Sequence, residues 1–478
     1  MNRVNKVCVR EAEVYEREIR FRFPFRFGVV TLSQAPQALV RVRILLQNGR
    51  SAWGVAAELL APKWFDKSPA LSNRDNVEQL RTSLRLAVEL YTATRAHLTP
   101  FDHFVSHYEV QNQACASRGL NSLIAGFGPA LLDRAILDAL CRALDISFFD
   151  AVRGNLPGLR GLEAASDLEG FGLDSFLAGL GAETSLHIRH TVGLSDPLTE
   201  ADLPPGSRLN DGLPETLEKV LRVYGNAYFK IKLFGDTRKD VQRLSRIAAL
   251  LDRTSSPYRI TLDGNEQFPG VEAVGELLEA IQAAPVLKRF SRSILFVEQP
   301  IERGVALSRD VTCVSSEVPL TIDESDSSLD SFPLARRRGY KGVSSKTCKG
   351  MYKSLLNAAR CARWNAEGQG RRFFLSGEDL TTLPGVGLQQ DLALASILGL
   401  HHVERNGHHY VKGMSAFSPA EQQAFLRAHP DLYKMEKELV LLRLERGQVQ
   451  IGSLHCPGFA VAAEPDWSAT RRMTLDPL

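Results

Sequence analysis

Three lysines and three carboxylates in one stretch of the chain have the types and spacing that chemistry requires. Lys230 and Lys232 lie in YFKIKLFGD, Lys346 ends GYKGVSSK, and between them come Asp263 in YRITLDGN, Glu298 in SILFVEQP and Asp323 in PLTIDES. Positioned lysines can remove and return protons. Three converging carboxylates, with no histidine or cysteine among them, are hard oxygen ligands suited to Mg²⁺, with Mn²⁺ an alternative, and poor for zinc or copper. Their mutual repulsion also demands a cation. A lysine beside a divalent ion and a second lysine feels like charges that lower its pKa from the ordinary ~10.4, so Lys232 is expected to act as a neutral base.

These groups can meet only if their elements carry them to one place. In YFKIK, period two puts both ammonium groups on one face and Phe229 and Ile231 on the other. The same parity sets Thr261, Asp263 and Asn265 against Ile260 and Leu262. Eight strand-like runs alternate with helical stretches: SLHIRHTVGL, NAYFKIKLFGD, YRITLDGN, SILFVEQP, PLTIDES, GYKGVSSK, RFFLSGED and HHVERNGH. That alternation predicts an α/β fold, a TIM-type (β/α)₈ barrel over residues 185–414. Residues 232, 263, 298, 323 and 346 are separated by 31, 35, 25 and 23 positions, close to the ~31 per unit of a ~250-residue barrel. Catalytic groups of such barrels sit at the C-terminal ends of strands. Strands two and six are opposite in an eight-membered ring, so Lys232 and Lys346 should face each other across a substrate. The competing reading is a set of interior salt bridges without a catalytic role.

Residues 1–153 read as an α+β first domain. Strands run from Arg20 to about Ala61 with a turn at Asn48-Gly49, and helices follow, most clearly PALLDRAILDALCRALDISFFDAV. The Gly- and Leu-rich stretch 154–184 reads as a linker or surface insertion, and 415–478 as a tail returning to the first domain through strands around Arg446-Gly447. With 58 Lys+Arg against 55 Asp+Glu, a net charge of +3 on 478 residues leaves no sequence-wide footprint for nucleic acid. Seven scattered cysteines without zinc spacing suit a reducing compartment. No segment reads as a signal peptide or membrane span, and the expected location is cytoplasmic. Expected partners are a small carboxylate-containing substrate and further copies of the chain in a homo-oligomer, with neither nucleic acid nor membrane.

The KIK pair, DGN, VEQP, DES and the strand-six lysine, in that order, resemble the enolase superfamily in its muconate-lactonizing and mandelate-racemase branch. The helix ending in DAVRGN and the segment GQVQIGSLHCPGFAV are similar to that family's closing cap helix and C-terminal return, a resemblance that implies residues 1–153 to be an α+β capping domain. The resemblance implies Asp263, Glu298 and Asp323 as ligands of Mg²⁺, Lys232 and Lys346 as the acid/base pair, and Lys230 as an electrostatic helper. It also implies abstraction of the proton alpha to a carboxylate through a metal-stabilised enediolate. Racemisation or epimerisation is the expected outcome, with elimination or cycloisomerisation as the alternative. A Schiff-base aldolase and a non-catalytic binding protein are the rivals of other classes.

Two departures concern the substrate. Ser344, Ser345 and Gly350 stand where the family has an apolar residue, Asn and two glycines, and VERNGHHYV lacks the DxD of dipeptide epimerases. Asn265, Glu324, Glu378, Glu404 and Asn406, at strand ends, are expected substrate contacts, as is Trp53 by the resemblance. His187 and Arg189 share a face of strand one, and His401, His402, His408 and His409 read as polar strand-end residues. The long stretch from Val192 to Glu215, with the capping region from Pro24 to Thr31, is expected to shape the pocket away from the metal.

Overall fold

The computed structural model describes residues 6–27, 30–161, 165–254, 256–368 and 372–474. The cap begins with an antiparallel meander, β1 (Val7–Phe27), β2 (Val30–Leu46) and β3 (Ser51–Leu59), joined at the Asn48-Gly49 turn. Alternation in β2 buries Val40, Val42 and Ile44 and turns Arg41 and Arg43 outward. Helices Asn73–Ala93, Pro100–Ala116 and Phe127–Leu144 complete the cap. The first is started by a capping box in which Ser72 and Asp75 satisfy each other's backbone. Gly54 lets β3 and the third helix touch: a Cβ there would lie 2.2 Å from Ala135 O and Ala139 N.

The next eight strands are those the alternation predicts: β4 (Ser185–Val192), β5 (Tyr228–Lys232), β6 (Arg259–Asp263), β7 (Ile294–Glu298), β8 (Leu320–Ile322), β9 (Gly342–Ser345), β10 (Phe374–Gly377) and β11 (His402–Glu404). Each pairs in parallel with the next, and β11 pairs with β4, so the barrel closes. The fold is a TIM-type barrel with an α+β cap. Register aligns Lys232 with Asp263 and Asp263 with Glu298 at the C-terminal rim.

The tail forms a hairpin, β12 (Tyr433–Glu436) and β13 (Leu439–Leu442), and then visits both bodies. β14 (Gln448–Gln450) runs antiparallel to the first half of β4, which β5 leaves unpaired, whereas β15 (Arg471–Arg472) pairs with β1 in the cap. The stretch expected as a surface insertion is instead packed down: Leu168, Leu173 and Leu177 are buried, and Asp167 accepts from Arg360 at 2.8 Å. One continuous apolar core runs from the cap sheet to β4, and a second fills the β5-to-β9 side of the barrel. Among the described residues no helix is long and apolar enough to cross a membrane.

Candidate active site at the barrel mouth

Lys230 lies at the centre of the cluster. Its Nζ is 2.9 Å from Glu298 Oε1, 2.7 Å from Glu378 Oε2, 2.9 Å from Glu404 Oε2 and 3.0 Å from Asp263 Oδ2. Burial works against its charge, but these four carboxylates outweigh burial and hold its pKa well above the ordinary lysine range. Lys232, two residues further up the same face, donates to Asp263 Oδ2 at 2.6 Å. Opposite, Lys346 donates to Asp323 Oδ2 at 2.6 Å. Burial depresses the Lys346 pKa and the Asp323 carboxylate raises it, with a net shift upward that keeps it an ammonium. The lysines and carboxylates are therefore ion-paired with one another, as the competing sequence reading has it. Lys230, Lys232, Lys346, Asp323 and Glu404 also line a cavity at the rim with Phe25, Leu32, Trp64 and Asn265, a placement that interior salt bridges alone do not require.

The three carboxylates expected at a metal are fully buried at adjacent strand ends. Among the described residues no three His, Cys, Asp or Glu side chains stand ready around one point, because Lys230 lies between Asp263 and Glu298 and Lys346 engages Asp323. The donor set nonetheless fits a hard divalent ion, being oxygen throughout. Glu298 Oε2 is 2.8 Å from Lys230 Nζ yet accepts no directed hydrogen bond. Burial, together with the charges of Asp263, Glu378 and Asp323, pushes the Glu298 carboxyl well above the carboxylate range despite Lys230. Lys230 thus compensates Glu298 only in part, and Oε2 is a buried oxygen left open to a cation.

The expected substrate contacts divide. Glu378 lies deeper, shared between Lys230 and the buried Arg189. Glu404 accepts from Lys230 and Thr191, and Asn406 donates to Glu404 at 2.9 Å while its own backbone N–H donates to Asp379. Glu404, Asn406 and Asn265 line the cavity. Asn265 is held by its backbone N–H on Asp263 Oδ1, and its buried Oδ1 has no hydrogen-bond partner. Glu324 is covered from the cap by Lys67 Nζ at 3.3 Å.

Trp53 is not at the site. It pairs with Arg43 on the outer face of the cap sheet, where Arg41 lies 4.8 Å from its ring. The indole at the site is Trp64, in the segment after β3, with its centroid 4.2 Å from Lys346 Nζ. Strand parity turns Trp53 away because neighbouring Gly54 must face the cap helix.

The region from Pro24 to Thr31 contributes Phe25 to the cavity, while Gly28 and Val29 lie outside the described residues. The Val192-to-Glu215 stretch does not line the cavity but supports this strand end: Leu194 N donates to Arg26 O, and Arg22 donates to Asp211 Oδ1 at 2.8 Å. His187 meets Gln448 at 2.8 Å, low in the barrel. His402 is half-buried and stacked against Tyr228, and its desolvation lowers its pKa to about 3. His409 is buried and His408 half-buried beside His190, whereas His401 is exposed beside Glu183.

Sequence reasoning missed two supports. Lys349, three residues after Lys346, donates to Ser344 Oγ at 2.7 Å, and Ser344 donates to Asp323, so the unexpected serine has a place in the site. Gln299 of VEQP accepts from the backbone N–H groups of Asp323 and Ser325 at 2.8 and 3.0 Å, fixing the neighbouring strand end.

No protein-family model matches the chain, and no curated protein matches it. Solved structures do. A muconate lactonizing enzyme from Pseudomonas fluorescens complexed with muconolactone is 15% identical, covering 97% of this chain and 98% of its own at a TM-score of 0.58. The L-Ala-D/L-Glu epimerase from Bacillus subtilis is 14% identical over 95% of this chain and 99% of its own, with a TM-score of 0.58. An enolase from Pseudomonas fluorescens Pf0-1 with bound magnesium, potassium and tartrate is 12% identical over 97% and 91%, with a TM-score of 0.59. At these identities the likeness is one of fold, and the chain shares the capped-barrel fold of muconate lactonizing enzymes, enolases and the epimerase.

Proposed function

We propose that the chain is a divalent-cation-dependent enzyme of the enolase-superfamily kind that removes the proton alpha to a substrate carboxylate and returns one to the same carbon, as a racemase or epimerase does. The observation that carries this reading is the placement of Lys232 and Lys346 on β5 and β9, four strands apart in the closed ring of eight, both lining one cavity. Asp263, Glu298 and Asp323 would hold Mg²⁺ or Mn²⁺, and the bound ion supplies the positive charge that acidifies the C–H next to a carboxylate. Lys232 takes or gives the proton on one face of that carbon and Lys346 on the other. Lys230, fixed as an ammonium among four carboxylates, adds positive charge beneath the reacting centre. Phe25, Leu32 and Trp64 exclude water from the cavity. A Schiff-base reaction is disfavoured, since it leaves the three buried carboxylates Asp263, Glu298 and Asp323 at adjacent strand ends without a role.

The test is α-proton exchange in D₂O across a panel of small carboxylic acids, with and without Mg²⁺. Exchange that needs the ion and stops with EDTA supports the reading. Exchange unaffected by EDTA, or none with any acid, overturns it, and loss of a leaving group in place of exchange assigns the site to a lyase.

A further inference from the structure

Lys346 is held from two sides. Asp323 takes one of its protons at 2.6 Å, and the Trp64 indole lies with its centroid 4.2 Å from the same Nζ. Trp64 comes from the cap, not the barrel, and only 4% of it is exposed. An ammonium over an indole face is attracted by the ring quadrupole, most strongly where water is excluded. Such a contact limits where a flexible lysine can place its nitrogen.

The indole is itself placed by an unusual anchor. Arg303, just beyond β7, donates from Nη2 to Trp64 O and from Nη1 to Phe65 O, both at 2.9 Å. Asn121 of the cap adds a bond to Phe65 O at 3.0 Å. The Arg303 guanidinium is fixed in turn by Glu266, which takes Nε and Nη2 at 2.8 Å each. Lys67, two residues past Phe65, is paired with Glu266 and donates to Asn265 O at 3.1 Å. Two consecutive carbonyls held by one planar fork set the backbone from which the indole projects, a task lysine could not perform in place of arginine.

Resting on the proposed function, we infer that Trp64 is a positioning residue for Lys346, and that the Arg303–Glu266 clasp couples cap placement to proton transfer on the Lys346 face.

The experiment uses the full chain with Mg²⁺ and each enantiomer of an exchanging acid in D₂O. Trp64→Leu should lower the rate of α-proton exchange of the enantiomer deprotonated by Lys346 by about 10- to 100-fold, the effect of misplacing a catalytic group by ~1 Å, with little change in KM for that exchange, and should slow racemisation in both directions alike. Trp64→Phe should recover part of the loss, and Arg303→Gln should reproduce it in part. Equal slowing of α-proton exchange for both enantiomers, or a rise in KM alone, would make Trp64 a pocket wall and overturn the inference. A second measurement stands apart from turnover. In ¹³C-lysine-labelled protein, the Lys346 Hε signal, identified by its loss in Lys346→Arg, should be shifted upfield by the indole and return toward the ordinary position in Trp64→Leu. If no acid exchanges in the parent, the proposed function fails while this signal still decides the placement: an unmoved signal in Trp64→Leu overturns it.

Discussion

Asp263, Glu298 and Asp323 are all carboxylates at strand ends, yet their surroundings push them in opposite directions. Burial raises both aspartates, but the lysines around Asp263 and Asp323 win and lower them, whereas Glu298 is raised by burial and by three neighbouring carboxylates. A divalent ion entering the cluster must therefore expel a proton from Glu298. Calorimetric titration with Mg²⁺ in buffers of different ionisation enthalpy should show proton release, and affinity should rise with pH until Glu298 ionises without help. Glu298→Gln should weaken Mg²⁺ binding at least about tenfold, given that even indirect supports of metal sites are worth that much. Binding equal to the parent's would remove Glu298 from the ligand set. At this scale the sequence revealed charge more readily than direction. Period two within β5 and β6 exposed Lys230, Lys232 and Asp263, but nothing local distinguishes Trp53 from Trp64, since which indole meets Lys346 depends on Arg303, 239 residues beyond it.

The barrel strands were legible because short strand-like runs alternate with helical stretches and, β4 apart, each closes on or just before a charge. Connections between elements were less so, because their placement depends on partners remote in sequence. The tail's β14 reads as a strand, but its joining β4 follows from the unpaired lower half of that strand, which only the closed barrel reveals. The Val192-to-Glu215 stretch is similar: its proximity to the rim was legible, its role was not. Tyr410 donates to Asp196 at 2.6 Å and packs 4.2 Å from Phe25, while Arg22 ties β1 to Asp211. The stretch therefore braces the end of β1, which presents Phe25 to the cavity. Shortening it between Ser195 and Asn210 should raise KM for the exchanging acid several-fold and leave Mg²⁺ affinity unchanged, because none of the carboxylates at the ion's expected place bonds to it. Unchanged kinetics on that acid would show that β1 holds Phe25 unaided.

At the scale of the whole molecule, cap and barrel are joined by buried charge as well as by apolar core. Glu58 on β3 takes Arg134 Nη2 of the cap helix at 3.0 Å and Thr347 Oγ1 of the barrel at 3.2 Å. Arg134 reaches Gln390 of the barrel helix Val386–Ile397 at 3.4 Å, and Gln390 donates back to Val55 O at 2.7 Å. Burial lifts the Glu58 carboxyl from its ordinary 4.5 to about 7, although Arg134 pulls it down. A carboxyl raised by folding favours the folded state when protonated, and that contribution is lost as pH climbs from 4.5 through about 7. Arg134→Met removes the cation paired with Glu58. Its carboxyl then rises further, so the variant suffers most where the group is forced to ionise. Urea unfolding should show a loss at pH 8 of about 3–5 kcal/mol, the range for breaking a buried ion pair from one side, and a smaller loss at pH 5.5. Because one core spans the cap sheet and β4, the parent should unfold in a single transition. A loss independent of pH would show that Glu58 does not change its charge at this junction, and separate cap and barrel transitions would show that the junction does not couple the two bodies.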